Sequence, residues 1–297
     1  IITNVPANSS VKGVVLPYSY FYQYDIYGKE VNAFVKLNAD FAHTWGAVNE
    51  RLLIGADFKT DGNLGKGSVY DDDYPPYRNI GNAESGYRAR PYSDIPFINQ
   101  LGLYAENYFN WKFAKRELNI VAGVRYDNVN GHNSVAPRIN ASIDIFPWMT
   151  LRGGYGLTSK APTSYYLYPN KSYHDYILYN GMHADLPENE QLLIAKTDIY
   201  DAVNKDLEIA VNRKAEVGMD FNFGGHYRIS VTAYDERMDN GYNYGLDLSS
   251  FKWYHAMTYD VDHKDAGQRP VLKKGAEYDL FYTVYKPLNN IKSTNRG

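Results

Sequence analysis

The sequence predicts an all-β fold, a transmembrane antiparallel β-barrel of the outer-membrane type, of which this chain supplies only a part. Apolar and polar residues alternate along many segments, and several of these run for ten or more residues. Short and long connections follow one another between the segments, and aromatic residues cluster beside the short ones. These three features are typical of barrels that cross a membrane with tilted strands of about 9–11 residues.

Composition narrows the class of protein. The chain has 297 residues, of which 22% are charged, and its net charge is −3. It has no run of the roughly 18 apolar residues that a membrane helix needs, and it lacks the basic excess of a nucleic-acid-binding protein. Tyrosine occurs 30 times against 12 Phe and 4 Trp, and its amphipathic ring suits both strands and membrane interfaces. Composition alone leaves a Tyr-rich soluble β-sandwich as an equal alternative.

Eight segments alternate with a period of two, which indicates strands with one apolar and one polar face. In the fourth of them, Leu118, Ile120 and Val124 share the apolar face. The segments are 31–41, 51–59, 100–112, 118–127, 135–146, 149–158, 214–223 and 227–236. Weaker candidates lie near 16–25, 191–200, 251–260 and 277–286.

The connections favour a membrane barrel over a sandwich. Tight turns are predicted at 44–50, 112–116, 146–148 and 224–226, and longer loops at 61–97, 128–134, 159–190 and 237–250. Outer-membrane barrels combine short periplasmic turns with long extracellular loops, whereas a sandwich has no reason to sort its loops by length. Because antiparallel strands alternate in direction, the long loops must all emerge opposite the tight turns. The weak segment 191–200 must then belong to a loop.

The two faces of the predicted strands suit a lipid-facing wall around a wet lumen. Mid-strand ionic residues such as Glu106, Arg125 and Arg138 would be costly in a dry core. Aromatic residues beside the tight turns match the interfacial girdle of such barrels. They are Phe41, Trp45, Phe109, Trp111, Phe113, Phe146, Trp148, Phe221, Phe223 and Tyr227.

Five motifs in a fixed order resemble a known family. They are "VAGVRYDNV" at 121–129, "APRINASIDIF" at 136–146, "LRGGYGLTSKAPTSYYLYP" at 151–169, "RKAEVGMDFNF" at 213–223 and "ISVTAYDERMDNGY" at 229–242. Their succession resembles the TonB-dependent outer-membrane receptors, with the SusC/RagA-like branch closest. The resemblance covers roughly residues 31–160 and 210–297. The final "NNIKSTNRG" at 289–297 looks like the approach to a further strand.

The resemblance implies a fold and a function. Barrels of this family have 22 strands around a plugged lumen, so residues 1–297 would be about half of one barrel, without the plug domain and the barrel C-terminus. The parent protein would import a nutrient (a glycan, a peptide or a metal chelate) across the outer membrane of a Gram-negative cell. Its implied partners are the TonB–ExbB–ExbD system, reached through the plug, outer-membrane lipid and, in this branch, a SusD-like lipoprotein lid. A passive porin, a surface adhesin or a barrel-bound hydrolase are the alternatives.

Six tyrosines crowd the predicted loop at 159–190, and two interpretations of them stay open. They could stack on a nutrient, or they could pack a long loop against its neighbours, which we favour because aromatic area serves packing equally well. The candidate contact residues are Tyr165, Tyr166, Tyr168, Tyr173 and Tyr176.

No motif indicates an enzyme, a cofactor or a metal ion. The acidic run at 71–73 lacks the spacing of a calcium loop, so a solvated loop is the more reasonable interpretation. The seven His are scattered without ligand spacing. Neither a nucleophile elbow nor a phosphate-binding loop occurs.

Overall fold

The computed structural model describes residues 21, 23–70 and 90–297. The acidic run at 71–73 and most of the weak segment at 16–25 lie outside these residues. Within them, no helix is long and apolar enough to cross a membrane. The described strands are β1 (Tyr24–Tyr27), β2 (Glu30–Trp45), β3 (Val48–Asn63), β4 (Gly67–Tyr70), β5 (Ile98–Phe113), β6 (Arg116–Val129), β7 (His132–Phe146), β8 (Met149–Lys160), β9 (Ser172–Asn180), β10 (Leu193–Tyr200), β11 (Ala210–Phe223), β12 (Tyr227–Gly245), β13 (Phe251–His263), β14 (Val271–Thr283) and β15 (Lys286–Arg296), with a helical turn α1 (Ser164–Leu167).

Nine of the described strands form one continuous antiparallel sheet, in the order β15-β12-β11-β8-β7-β6-β5-β3-β2. Eight of these strands are the segments predicted from their alternation. The ninth, β15, pairs with β12 and contains most of residues 289–297, which the sequence indicated only as the approach to a further strand. The nine strands have 11 to 19 residues, which is enough for a tilted membrane crossing. The predicted fold class, part of an antiparallel outer-membrane barrel, is confirmed.

The predicted loop at 128–134 is wrong. β6 and β7 are joined by a two-residue turn, in which Asn130 and Gly131 have φ of 45° and 91°. Asn-Gly is the preferred pair for a tight hairpin turn, since both positions need positive φ. This turn lies at the same end of the sheet as the long loops, as the alternating strand direction requires.

The predicted loop at 237–250 is also wrong, because β12 continues to Gly245. The register between β12 and β15 shifts beyond Met238, where Asn240 has φ of 59°. This bulge breaks the alternation of apolar and polar residues, and so the sequence pattern ends before the strand does.

The weak segments at 191–200, 251–260 and 277–286 do form strands, but none of them joins the main sheet. They correspond to β10, β13 and β14, which lie in two separate hairpins, β9–β10 and β13–β14. The prediction that 191–200 belongs to a loop is therefore confirmed.

One face of the main sheet carries an exposed apolar surface. Val124, Ile139 and Val217 are 46%, 48% and 54% exposed, although their strands are paired on both sides. A soluble protein rarely leaves so large a continuous apolar area in water, whereas lipid would cover it. Exposed apolar side chains on this face include Val35, Leu37, Phe41, Leu52, Ile54, Leu101, Leu103, Met219, Ile229 and Val231.

Aromatic rings border this apolar face at the end that carries the short turns. Phe146 and Trp148 stack with centroids 5.2 Å apart, and Trp148 also stacks with Phe223 at 5.9 Å. Trp111 lies 4.4 Å from Phe113 beside the next turn. The predicted girdle is thus present as a belt of stacked rings at one end of the sheet. Amphipathic aromatic rings favour the membrane–water interface, so this belt marks one such interface.

The opposite face of the sheet is polar and carries a network of ion pairs. The Arg125 guanidinium donates to both carboxylate oxygens of Asp57, at 2.8 and 2.9 Å, and to Asp127 at 2.7 Å. The network needs Gly102, because a Cβ atom there would collide with Arg125 and lie 2.6 Å from Oδ1 of Asp57. A water-filled lumen tolerates charges of this kind, because they are paired and remain partly hydrated.

A second part of this polar face repeats the arrangement of arginine, acid and glycine. Arg138 is paired with the buried carboxylate of Glu106. On the neighbouring strands, Arg152 lies 3.3 Å from Asp220, and a Cβ atom at Gly218 would be 2.9 Å from the Arg152 guanidinium carbon. The glycines therefore make room for large charged side chains on adjacent strands.

The assignment of the two faces predicts how single labels behave. The test uses the full-length protein in liposomes, with a fluorophore attached to the cysteine of Val217→Cys or of Glu216→Cys. Brominated lipids should quench the fluorophore at position 217 severalfold more strongly than the fluorophore at position 216. The two positions are adjacent but point to opposite faces of β11. Equal quenching at both positions would contradict a lipid-facing apolar surface.

The space above Gly102 predicts a cost of adding one methyl group. Gly102→Ala should destabilise the protein by about 1–3 kcal/mol, because overpacking displaces Arg125 from its acids. Gly153→Ala is the matched control, since its Cβ atom would lie 3.5 Å from the nearest atom, an ordinary contact. Chemical unfolding of the full-length protein measures both changes. Identical midpoints for the two variants would show that the arginine network does not depend on this glycine.

Candidate functional site

Three long excursions leave the main sheet at the end opposite the aromatic belt. They join β3 to β5, β8 to β11 and β12 to β15. The second contains α1 and the β9–β10 hairpin, and the third contains the β13–β14 hairpin. Because binding residues concentrate on loops held by a rigid scaffold, this end of the sheet is where a site is expected.

The two hairpins pack together through aromatic rings. Tyr176 of β9 stacks on Tyr254 of β13 with centroids 3.7 Å apart and planes 10° apart. Tyr282 of β14 lies 4.3 Å from the His174 ring and 5.7 Å from Tyr200. Burial raises the pKa of Tyr254 to about 12 and also raises the pKa of Tyr282. The phenols are therefore neutral at physiological pH, and the cluster acts as a small aromatic core between the hairpins.

A tyrosine near the C-terminal end of β12 holds together the two ends of the second excursion. The Tyr242 hydroxyl accepts from the backbone N–H of Ala210 at 2.9 Å and donates to the carbonyl of Lys160 at 2.8 Å. It thereby joins the end of β8 to the beginning of β11. Tyr166 of α1 packs on the rings of Tyr242 and Tyr244, with centroids 5.3 and 5.9 Å away.

A cavity of about 560 Å³ opens among the three excursions. Arg90, Lys171 and His174 contribute basic groups, and tyrosines supply much of the remaining wall. Among the described residues that line the cavity, none is acidic. The lining residues are Arg90, Ile95, Ser164, Tyr165, Tyr168, Pro169, Asn170, Lys171, Ser172, His174, Ala202, Tyr244, Thr283 and Tyr285. Such a surface suits an anionic ligand with planar groups, since cations attract its charge and rings stack on its faces.

Arg90 holds two of the excursions together at the edge of this cavity. Its guanidinium donates to the carbonyl of Tyr168 at 2.6 Å and is hydrogen-bonded to the side chain of Asn170. The backbone of Arg90 pairs with Ser68 of β4. The first and second excursions are therefore joined by the same positive side chain that lines the cavity.

The structure separates the tyrosines that the sequence singled out. Tyr165 is 63% exposed, and both Tyr165 and Tyr168 line the cavity. Tyr166 packs on other tyrosines, and Tyr176 is part of the aromatic core between the hairpins. Tyr173 pairs with Ile199 through its backbone. Their contact with a ligand stays a prediction.

Other lining residues had no signal in the sequence. Arg90, Lys171, Tyr244 and Tyr285 come from separate excursions and from the end of β12, so only the fold brings them together. In the part of the chain that the structure describes, no group of three or more His, Asp or Glu side chains is placed to hold a metal ion.

The third excursion is closed at its base by an ion pair. Asp247 follows β12 and its carboxylate lies 2.5 Å from Nζ of Lys286, the first residue of β15. The same carboxylate accepts from the backbone N–H of Ser249 at 2.9 Å. These contacts, led by the hydrogen bond from Lys286, lower the pKa of Asp247 to about 2.

The chain is similar to outer-membrane receptors of known structure. The solved structures of similar fold include two outer-membrane receptors. The siderophore receptor PirA from Acinetobacter baumannii has a TM-score of 0.55 at 15% identity, with 91% of this chain and 34% of that chain covered. A mutant of the ferric enterobactin receptor PfeA from Pseudomonas aeruginosa, in complex with enterobactin, has a TM-score of 0.50 at 17% identity, with 90% and 32% covered. The chain thus spans about a third of these proteins, and no curated protein matches it.

The wall, its two faces and its loops define a segment of an outer-membrane β-barrel. The sequence matches the family described as "TonB dependent receptor-like, beta-barrel" over residues 3–288. The chain therefore belongs to the TonB-dependent receptor β-barrel family, as its motifs indicated. Proteins of this family reside in the outer membrane of Gram-negative bacteria and are transporters, so the expected location is confirmed and an enzymatic role is not supported.

The pair at the base of the third excursion predicts a pH dependence. Because the pKa of Asp247 is lowered on folding, the pair stabilises this excursion above the ordinary pKa of 3.8 and is lost as the pH falls through about 2. Cleavage by pepsin within residues 246–285 of the full-length protein should accelerate severalfold between pH 4 and pH 2. Asp247→Asn should be cleaved rapidly at both pH values, and Asp265→Asn should behave as the unaltered protein. Cleavage that is independent of pH in the unaltered protein would contradict the role of the pair.

Proposed function

We propose that this chain is part of the barrel wall of a longer TonB-dependent transporter that imports an anionic, ring-bearing metal chelate. The observation that carries the proposal is the cavity at the long-loop end, which is lined by Arg90, Lys171 and several tyrosines. Import fits the family, whose members are transporters. The long loops would face the cell exterior, since barrels of this kind have short turns on the periplasmic side.

The cavity supports a chelate more than a neutral glycan or a peptide. Its cationic side chains would attract a negatively charged solute, and Tyr165 and Tyr168 would stack on planar rings. Two proteins of similar fold are a siderophore receptor and a ferric enterobactin receptor. At 15% and 17% identity they support the fold alone, so the argument for the substrate class rests on the cavity's own residues.

The resemblance in sequence motifs adds two partners to the proposal. A plug domain outside these residues would receive energy from the TonB–ExbB–ExbD system. The SusC/RagA-like branch would add a SusD-like lipoprotein that covers the long-loop end. Purification of the full-length protein from its own membranes tests the branch, because a lid should copurify in a stoichiometric amount. Purification of the receptor alone would separate this protein from that branch and leave the import proposal intact.

Charge reversal in the cavity tests the substrate class. Lys171→Glu in the full-length receptor should weaken the binding of ferric enterobactin, used as an anionic ring-bearing probe, by at least tenfold. The combined Tyr165→Ala and Tyr168→Ala variant should weaken it severalfold, since each stacked ring adds about 0.5–1.5 kcal/mol. Lys205→Glu is the matched control, because Lys205 lies in the same excursion, is exposed and does not line the cavity.

The same variants distinguish the competing substrates in growth assays. Uptake of the chelate as iron source should fall with Lys171→Glu and stay unchanged with Lys205→Glu. Growth that depends on the receptor only with a neutral oligosaccharide or a peptide, with no effect of Lys171→Glu, would refute the proposed chelate.

A further inference from the structure

A cluster of charged residues lies on the outward face of the wall, next to the apolar surface and towards the long loops. Arg213 of β11 pairs with Asp239 of β12 at 2.6 Å. Asp235 of β12 accepts from Arg237 at 2.7 Å and from Arg296 of β15 at 2.6 Å. By strand alternation these residues share the face of the exposed Val217 and Met219.

The cluster lies at the height where lipid headgroups are expected. Arg213 and Phe223, which belongs to the aromatic belt, are ten residues apart on β11. At about 3.3 Å per residue and a tilt of about 40°, this separation spans roughly 25 Å along the membrane normal. An outer-membrane barrel has an apolar band of about 25 Å. The belt would therefore mark one interface and the cluster would mark the other.

The charges of the cluster favour an anionic partner. Three guanidinium groups face two carboxylates, and the arginines are 50%, 56% and 65% exposed whereas the acids are 36% and 35% exposed. Arg213 stands directly opposite Arg237 in the strand register, and opposed like charges are unfavourable. Lys292 follows the same alternation as Arg296 on β15 and adds a fourth cation to this face. An anion between the arginines would relieve their repulsion.

We propose that this cluster binds the phosphate groups of lipopolysaccharide, the phosphorylated glycolipid of the outer leaflet. The planar guanidinium fork of arginine fits phosphate oxygens in pairs. The acyl chains of the same lipid would lie along the apolar face that begins at Ala215 and continues through Val217. This proposal requires that the long loops lie on the extracellular side of the membrane, but it does not depend on which substrate is transported.

Binding of defined lipids tests the proposal. The full-length receptor in detergent is titrated with bisphosphorylated lipid A, with lipid A lacking both phosphates, with phosphatidylglycerol and with inorganic phosphate. The unaltered protein should prefer bisphosphorylated lipid A. The combined Arg213→Gln and Arg237→Gln variant should bind it at least tenfold more weakly and bind dephosphorylated lipid A unchanged.

An outward arginine at the opposite rim of the sheet supplies the matched control. Arg116 begins β6 on the same face as Leu118, at the rim with the short turns. Arg116→Gln should leave the affinity for lipid A unchanged. Equal loss with this variant would indicate attraction by overall charge and overturn the site. Equal affinity for phosphatidylglycerol or inorganic phosphate, or an unchanged affinity of the combined variant, would also overturn it.

Two further measurements separate folding and orientation from binding. The combined Arg213→Lys and Arg237→Lys variant keeps the charge and should retain more affinity than the glutamine variant, and a loss as large as with glutamine would overturn a charge-based site. A cysteine at Leu248, which is 94% exposed in the third excursion, should react with a membrane-impermeant reagent on intact cells. Reaction only after the outer membrane is opened would overturn the lipopolysaccharide assignment and the exterior position of the long loops, whereas chelate binding by the purified receptor would be unaffected.

Discussion

The architecture of this chain depends on one constraint, that backbone N–H and C=O groups inside a bilayer have no water to bind and must pair within the protein. The nine-stranded sheet meets this constraint by continuous antiparallel pairing, strand after strand, from β2 to β15. Pairing of this kind fixes the face of every side chain, because neighbouring residues point to opposite sides. The lipid-facing surface, the polar face and the position of every loop follow from it.

The lipid-facing side and the polar side of the sheet place different demands on their residues. Between the aromatic belt and the charged cluster, the outward face needs only apolar groups of any shape, and it therefore presents Val, Ile and Leu side chains to lipid. The polar face instead carries long charged side chains close to the backbone of adjacent strands, which requires glycine at positions such as Gly102 and Gly218. Arginine, acid and glycine thus form one structural unit that spans several strands.

The excursions at the long-loop end lie outside the sheet, so side-chain packing and not strand pairing must hold them together. Tyrosine fills this role: Tyr176 on Tyr254 joins two hairpins, and Tyr242 joins the ends of two barrel strands. Arg90 then connects the first excursion to the second. The cavity results from these contacts, so the residues that shape it and the residues that would touch a ligand are partly the same.

The sequence by itself determined the fold class, eight strands and the emergence of the long loops at one end of the sheet, because alternation with a period of two is a local signal. It missed the turn at Asn130-Gly131 and the end of β12, where a two-residue turn and a bulge leave little trace in that pattern. Only the tertiary structure decided which tyrosines line the cavity and which pack against one another. Arg90, Lys171 and Tyr285 are far apart in the chain, and contacts between distant loops depend on three-dimensional packing that no local spacing encodes.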